Sequence, residues 1–401
     1  MKTIALVDPF YGGHHEIYLK LFSKALSALG FRVMVFTLRP NEMEEMVKED
    51  SEIDCSTIRF FSIPELVNRD SLFYSFWGLT TGARRWRAMR KSIKEASSAT
   101  GWSPDMVFIA WLDSYLNFFA GRRIVDLLFP YDWSGLYFHP LRLRVPESSS
   151  LPEAINLYGA LRSVRCKTVA VLDEGVVGKL KKCLGGKRVV AFPDVADASP
   201  PDSNYSVLRE IRDKARGRKI ITIIGSLEKR KGILSLLEVA KSNAMENFFF
   251  VFAGKLKDKT FKNEELELIR ENAERPSDNC FFHLASISGE SRFNALMEAT
   301  EIVYASYDGF YHSSNILAKA AIFKKPLIVT DGFCMGERVR EFGIGLTVDY
   351  GDVSQCRDAI RALSESKDRG KLALDFEGYL SLHSPSRLSE SFSDLIDTRL
   401  N

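Results

Sequence analysis

Apolar residues gather along this chain in short unbroken runs, separated by segments of helical period. The opening sets the pattern: a run at 4–7 ("IALV"), a turn "DPFYGGHHE", a segment "IYLKLFSKALSALG", then a second run at 32–38 ("RVMVFTL"). Strand, glycine turn, helix closed by Gly30 and strand, all within about 40 residues, make a βαβ unit. Runs that do not alternate mark strands buried on both faces, as in a parallel sheet covered by helices. The pattern repeats at 105–112 ("DMVFIAWL"), 133–140 ("WSGLYFHP"), 167–173 ("KTVAVLD") and 187–194 ("KRVVAFPD"). A stretch rich in Pro, Asp and Ser follows, "DVADASPPDSNYS" at 194–206, and reads as a linker. Beyond it the alternation resumes through "KIITIIG", "NFFFVFAG", "NCFFHLA", "EIVYASY" and "KPLIVTD". The pattern predicts two doubly wound α/β domains, 1–196 and 197–383, and a last helix over 384–401 capped by Ser384 or Ser386.

Length and composition narrow the class. With 401 residues the chain exceeds one ordinary core. It is 45% hydrophobic and 27% charged, as a soluble globular protein is, and a net charge of +3 demands no nucleic-acid partner. Six cysteines lie scattered with no C-x-x-C pair, so neither a zinc site nor a disulfide framework is indicated. No apolar run approaches the ~18 residues of a membrane span, and the start is too short of apolar residues for a signal peptide. The expectation is a reduced, cytoplasmic, enzyme-sized protein.

In parallel sheets, ligands collect at the carboxyl ends of strands, where loops feed helix N-termini. Four loops fit that place. Gly12-Gly13 opens the first helix, with His14 and His15 at its mouth; a ligand loop and a plain tight turn are both open readings. "GSLEKRKG" puts Ser226, Lys229, Arg230 and Lys231 after the first strand of the second domain. Those cations suit a diphosphate, or form a solvated basic turn. His139 ends the strand "GLYFHP", as a ligand contact or a structural histidine. In "YHSSNILAKAA", Ser313, Ser314 or Asn315 is placed to cap the helix from Ile316 to Phe323.

Taken in order, these motifs resemble those of the GT-B glycosyltransferases of the family 4 kind. The likeness runs through "GGHHEIYLKLFSKALSALGFRVMVFT", "SPDMVFIAW", the histidine-bearing strand, "VVAFPDVAD", "IIGSLEKRKGILSLLEVAK", "VFAG" and "AAIFKKPLIVTDGFCMGERVREFGIGLTV". It implies two Rossmann-like domains facing across a cleft, an acceptor-side domain first and a donor domain second, with the last helix crossing back to the first. It implies an enzyme that moves a sugar from a nucleotide-sugar donor to a glycan, lipid-linked or small-molecule acceptor, with retention and with no metal or other cofactor. By position, Gly12 and Gly13 face the diphosphate and acceptor, His139 contacts the donor sugar, and Lys231 binds the diphosphate. Two departures stand out. Ser226 replaces the family's arginine after the glycine, with Arg230 as a neighbouring substitute. The family's two glutamates, separated by seven residues, fall on Tyr311 and Lys319, so Lys319 stands where a carboxylate meets the ribose; Asp308 resembles the first glutamate but lies three residues early. The rival reading is a degenerate GT-B-like protein that acts as a binding or regulatory partner.

Two further segments bear on partners. "SLFYSFWGLTTGARRWRAMRKSIK" (71–94) sets aromatics beside a cationic helix. They pack into the first domain, or meet an anionic surface at the inner face of the membrane. "DPFYGGHH" is similar, over a few residues only, to a GT-B subgroup that mannosylates a modified nucleoside in tRNA; a tRNA acceptor is not expected.

Overall fold

The computed structural model describes residues 1–65, 77–116, 121–140, 143–144, 158–242, 245–368 and 373–397. It divides into two compact units: residues 1–195 together with 383–401, and residues 196–382.

The first unit is built on seven parallel strands, β1 (Thr3–Val7), β2 (Arg32–Thr37), β3 (Ile58–Ser62), β4 (Met106–Ile109), β5 (Trp133–Tyr137), β6 (Cys166–Val171) and β7 (Val189–Ala191). Their order across the sheet is β3-β2-β1-β4-β5-β6-β7. The chain thus winds outward one way from β1 and then the other way from β4, leaving a switch point between those two strands. Alternate side chains of β1 feed both faces: Ile4 and Leu6 enter one apolar cluster, Ala5 and Val7 the other. A strand so placed has no polar face, which is why its run is unbroken. Helix α1 (His14–Ala28) covers one face with Leu19, Phe22 and Leu26. On the same face lies α14 (Pro385–Asp397), whose Leu388, Phe392, Leu395 and Ile396 are buried. Ser384 starts that helix, its Oγ accepting from the Arg387 N–H at 3.3 Å. The other face carries α3 (Trp77–Thr100) and α4 (Arg122–Leu128), where Trp86 meets Phe129 and Trp133 with the rings tilted at 56° and 53°.

The second unit repeats the plan with six parallel strands, β8 (Lys219–Ile224), β9 (Phe248–Ala253), β10 (Cys280–His283), β11 (Ile302–Ala305), β12 (Leu327–Thr330) and β13 (Gly345–Val348). They are ordered β10-β9-β8-β11-β12-β13, so the switch point lies between β8 and β11. In β9, Phe249, Val251 and Ala253 face one cluster while Phe248, Phe250 and Phe252 face the other. The stretch read as a linker is only partly so. Val195, Ala196 and Asp197 are buried within it, and helix α6 (Ser206–Ala215) follows at once. Buried polar groups need partners, and Asp197 finds them: its carboxylate accepts the Ser199 N–H at 2.8 Å and its carbonyl accepts from Lys319.

Candidate active site

The first unit gathers chemistry at the carboxyl ends of β1, β4 and β5. Past β1, Asp8 is buried, its carboxylate accepting the Phe10 N–H at 3.0 Å and meeting His15 Nδ1 at 2.9 Å. Burial pushes the Asp8 carboxyl up, while the bond and charge of His15 and the Phe10 N–H hold it back. Gly13, with φ 66° and ψ −121°, stands at the N-cap of α1 and turns the chain so that His15 returns over Asp8. A side chain there would be strained in that conformation. Past β5, Asp113 clamps the chain: its carboxylate accepts the backbone N–H groups of Phe138 and His139, each at 2.8 Å, and meets His139 Nδ1 at 3.2 Å. Between the two imidazoles stands Trp111, just past β4. Its ring lies 4.4 Å from that of His15, 5.3 Å from that of His139 and stacks on Phe138 at 4.0 Å. One indole therefore braces two carboxylate-oriented histidines. Sequence reasoning reached Gly12, Gly13 and His139 but missed Asp8, Asp113 and Trp111. The available signal was the Asp at a strand end seven residues before His15.

In the second unit, cations converge at the carboxyl end of β8. Gly225 leaves the strand so close to Gly254 that a Cβ on Gly254 would lie 1.7 Å from the Gly225 carbonyl oxygen. Ser226 follows, exposed, and a short turn over Lys229–Lys231 leads into α7 (Ile233–Ala240). Lys229 is tied to Glu265 at 2.6 Å. Arg230 donates through Nε to Glu228 at 2.8 Å and lies over the rings of Phe310 and Tyr307, at 4.9 and 5.7 Å. Its Nη1 is buried and, among the described residues, has no hydrogen-bond partner. The half-buried Lys231 ammonium sits 5.4 Å from the Tyr307 ring and also makes no hydrogen bond or ion pair among the described residues. Burial, then the neighbouring Arg230, pushes that ammonium down to about 8, with Glu228 opposing. Burial likewise pushes the Tyr307 hydroxyl up to about 12. Two cations with unmet donors, walled by aromatic rings, form a receptor for an oxyanion.

The loop before α10 (Ile316–Ile322) differs from its expected role. No side chain caps that helix: Asn315 is the N-cap, and it makes no side-chain cap bond. The serines are drawn elsewhere. Ser313 Oγ accepts from the buried Arg338 at 2.5 Å, and Ser314 bonds the Tyr307 hydroxyl. Lys319 is not an exposed contact either. It is 2% exposed, and its Nζ donates to the Asp197 carbonyl, to Asn294 Oδ1 at 2.5 Å and to Glu290 Oε2 at 2.5 Å. Glu290, Asn294 and Arg338 were invisible to motif spacing. The aromatic residues at 71–76 lie outside the described residues, as does the Trp77 side chain.

Comparison with known proteins agrees with this layout. Residues 206–377 match the family model of the glycosyl transferases group 1. No curated protein matches the sequence. Among solved structures, HepE of Anabaena in complex with UDP and glucose is 13% identical and superposes with a TM-score of 0.67 over 99% of this chain and 100% of its own. The sucrose-phosphate synthase of Thermosynechococcus elongatus is 16% identical, with a TM-score of 0.68 over 99% of both chains. A glycosyltransferase of Rickettsia africae is 15% identical, with a TM-score of 0.68 over 100% of this chain and 99% of that one. The second unit thus matches the glycosyl transferases group 1 model over most of its length, and the chain has the GT-B fold.

Proposed function

We propose that this chain is a retaining, metal-independent glycosyltransferase of the family 4 kind, with a nucleotide-sugar donor bound by the second unit and an acceptor taken by the first. Several of the solved structures it resembles hold UDP or UDP-glucose, which makes a uridine diphosphate sugar the first donor to try. The observation that carries the reading is the pair of unmet cationic donors, Lys231 Nζ and Arg230 Nη1, at the carboxyl end of β8. In sugar transfer the bond between the anomeric carbon and the phosphate oxygen breaks, and its electron pair stays on the departing diphosphate. Fixed cations in a poorly hydrated site stabilise that growing charge, the service a metal ion gives in other transferases. Gly12 and Gly13 let the substrate approach the backbone of the first unit. His139, held by Asp113, contacts the sugar. Ser226, Ser313, Ser314 and Asn315 line the donor loops, with the two serines already oriented by Tyr307 and Arg338. Lys319 acts through Glu290, whose carboxylate is the exposed end of that pair and suits a ribose diol. The acceptor is a glycan, a lipid-linked sugar or a small molecule.

A second reading, a GT-B-like binding or regulatory protein, draws on the replacement of the expected glutamate by Lys319. Thermal unfolding with a panel of nucleoside diphosphates, followed by UDP-sugar turnover, separates the two. A donor-binding enzyme gains several degrees with one diphosphate at a hundredfold excess over its Kd, about 2.7 kcal/mol, and releases that diphosphate on turnover. Stabilisation without turnover on any acceptor supports the second reading. No stabilisation by any diphosphate, with Lys231→Ala also silent, refutes the first.

A further inference from the structure

The first unit bears an outward feature that the donor chemistry does not use. Of the six large apolar side chains left exposed among the described residues, three lie on one ridge: Ile124 at 43%, Leu127 at 77% and Val164 at 57%. Ile124 and Leu127 recur at i and i+3 on α4, the helix whose Val125 and Leu128 are buried. Val164 follows Ser163, which donates a hydrogen bond to Asp126 and so holds that loop against α4. An apolar trio held up on α4 and the neighbouring loop costs hydration with nothing among the described residues to cover it.

Cations flank the ridge. On α3, Arg87, Arg90 and Lys94 are exposed at i, i+3 and i+7, with Lys91 beside them. Arg90 fixes the side of the helix they occupy, since its guanidinium donates to the Leu128 carbonyl of α4 at 3.4 Å. Arg122 and Arg123 are exposed in the first turn of α4 itself. The acids near by are few. Asp126 meets Arg122 at 3.7 Å, and Glu95 meets Lys91 at 3.8 Å. The stripe on α3 carries four cations against that one glutamate.

We propose that this ridge seats the first unit on an anionic lipid surface, with Ile124, Leu127 and Val164 entering the headgroup layer and the arginines and lysines of α3 and α4 lying on lipid phosphates. The pattern of apolar wedge and cationic rim is what such a surface rewards: apolar side chains gain by leaving water, while each cation gains from the negative surface potential. Binding to a phosphate backbone alone would give an exposed leucine nothing, which favours lipid over nucleic acid. This places the contact on α4 and on α3 from Arg87 onward, downstream of the aromatics at 71–77.

The test is co-sedimentation of the full chain with vesicles of phosphatidylcholine, with and without phosphatidylglycerol. The wild type is expected to pellet with the anionic vesicles, to stay in solution with phosphatidylcholine alone, and to be released by about 0.5 M salt. The double variant Ile124→Glu, Leu127→Glu should lose at least about tenfold in vesicle affinity, with an unchanged unfolding midpoint because both side chains are already exposed. The double variant Arg87→Glu, Lys94→Glu should lose a similar factor and its remaining binding should respond less to salt. Wild type that does not pellet with anionic vesicles overturns the proposal. So does unaltered pelleting of the Ile124, Leu127 variant, or loss of binding only when Phe73 and Phe76 are replaced. A shift of tRNA in a gel without vesicle binding would assign the same cations to a nucleic acid instead.

Discussion

Replacing Lys231 with alanine should pull stability and binding in opposite directions. A lysine ammonium ordinarily titrates near 10.5, and here burial and Arg230 push it down to about 8. At about 1.4 kcal/mol for each pH unit, the folded protein carries roughly 3 kcal/mol of penalty for keeping that charge at neutral pH. The sign follows from proton counts. Between pH 8 and 10.5 the unfolded chain binds the proton more tightly, so stability rises with pH across that window; below pH 8 both states hold the proton and the penalty is present in full. Alanine removes the charge but also the packed methylene stem, a loss of about 1–2 kcal/mol. The variant should therefore be more stable than the wild type by about 1–2 kcal/mol at pH 7, and that advantage should shrink by roughly 2 kcal/mol between pH 8 and 9.5. Its affinity for UDP should fall at least about a hundredfold, the cost of one buried charge-assisted contact. Wild-type affinity should hold steady below pH 8 and decline above it, as the ammonium loses its proton. Urea unfolding and calorimetric titration at pH 7 and 9.5 measure both quantities. An alanine variant that is less stable at both pH values and binds UDP as the wild type does would refute the reasoning.

Two more outcomes follow from the site. Lys319→Glu installs the carboxylate that the family pattern would have there, yet it should cost about 3 kcal/mol or more, because it sets two carboxylates together where Lys319 and Glu290 now meet at 2.5 Å; urea unfolding reads this, and a variant as stable as the wild type would contradict it. Asp113→Ala frees two backbone N–H groups and the His139 ring at once. It should cost about 2 kcal/mol of stability and lower the rate constant of sugar transfer more than it alters donor affinity, whereas Asp113→Asn, which keeps an acceptor oxygen, should retain most of the stability.

The fold was legible because parallel strands covered on both faces leave an unbroken apolar run, and β1 and β9 are such runs. The ligand-side loops were legible too, since Gly12, Gly13 and Lys231 each lie in the loop after the first strand of a unit. Contacts made across the sheet were not. His15 meets Asp8 because a positive-φ glycine folds the chain back, and Trp111 arrives from a strand a hundred residues downstream. Lys319 and Glu290 lie 29 positions apart on neighbouring helices, so residue spacing said nothing of their pairing, and the lysine read alone looked like a donor contact. Composition misled at 194–206 in a related way. Aspartates mark a linker when solvated, but Asp197 is buried with its hydrogen bonds met inside the fold.

The Lys319 cluster also constrains how this sequence can change over time. One ammonium answers the Asp197 carbonyl, Asn294 and Glu290 together, so three positions on two segments share a single cation. Losing Glu290 first leaves the Lys319 ammonium buried and uncompensated. A single substitution of glutamate at 319 therefore passes through a destabilised protein unless position 290 changes with it. With Glu290 in place, selection on stability alone would keep the lysine at 319, whatever the donor.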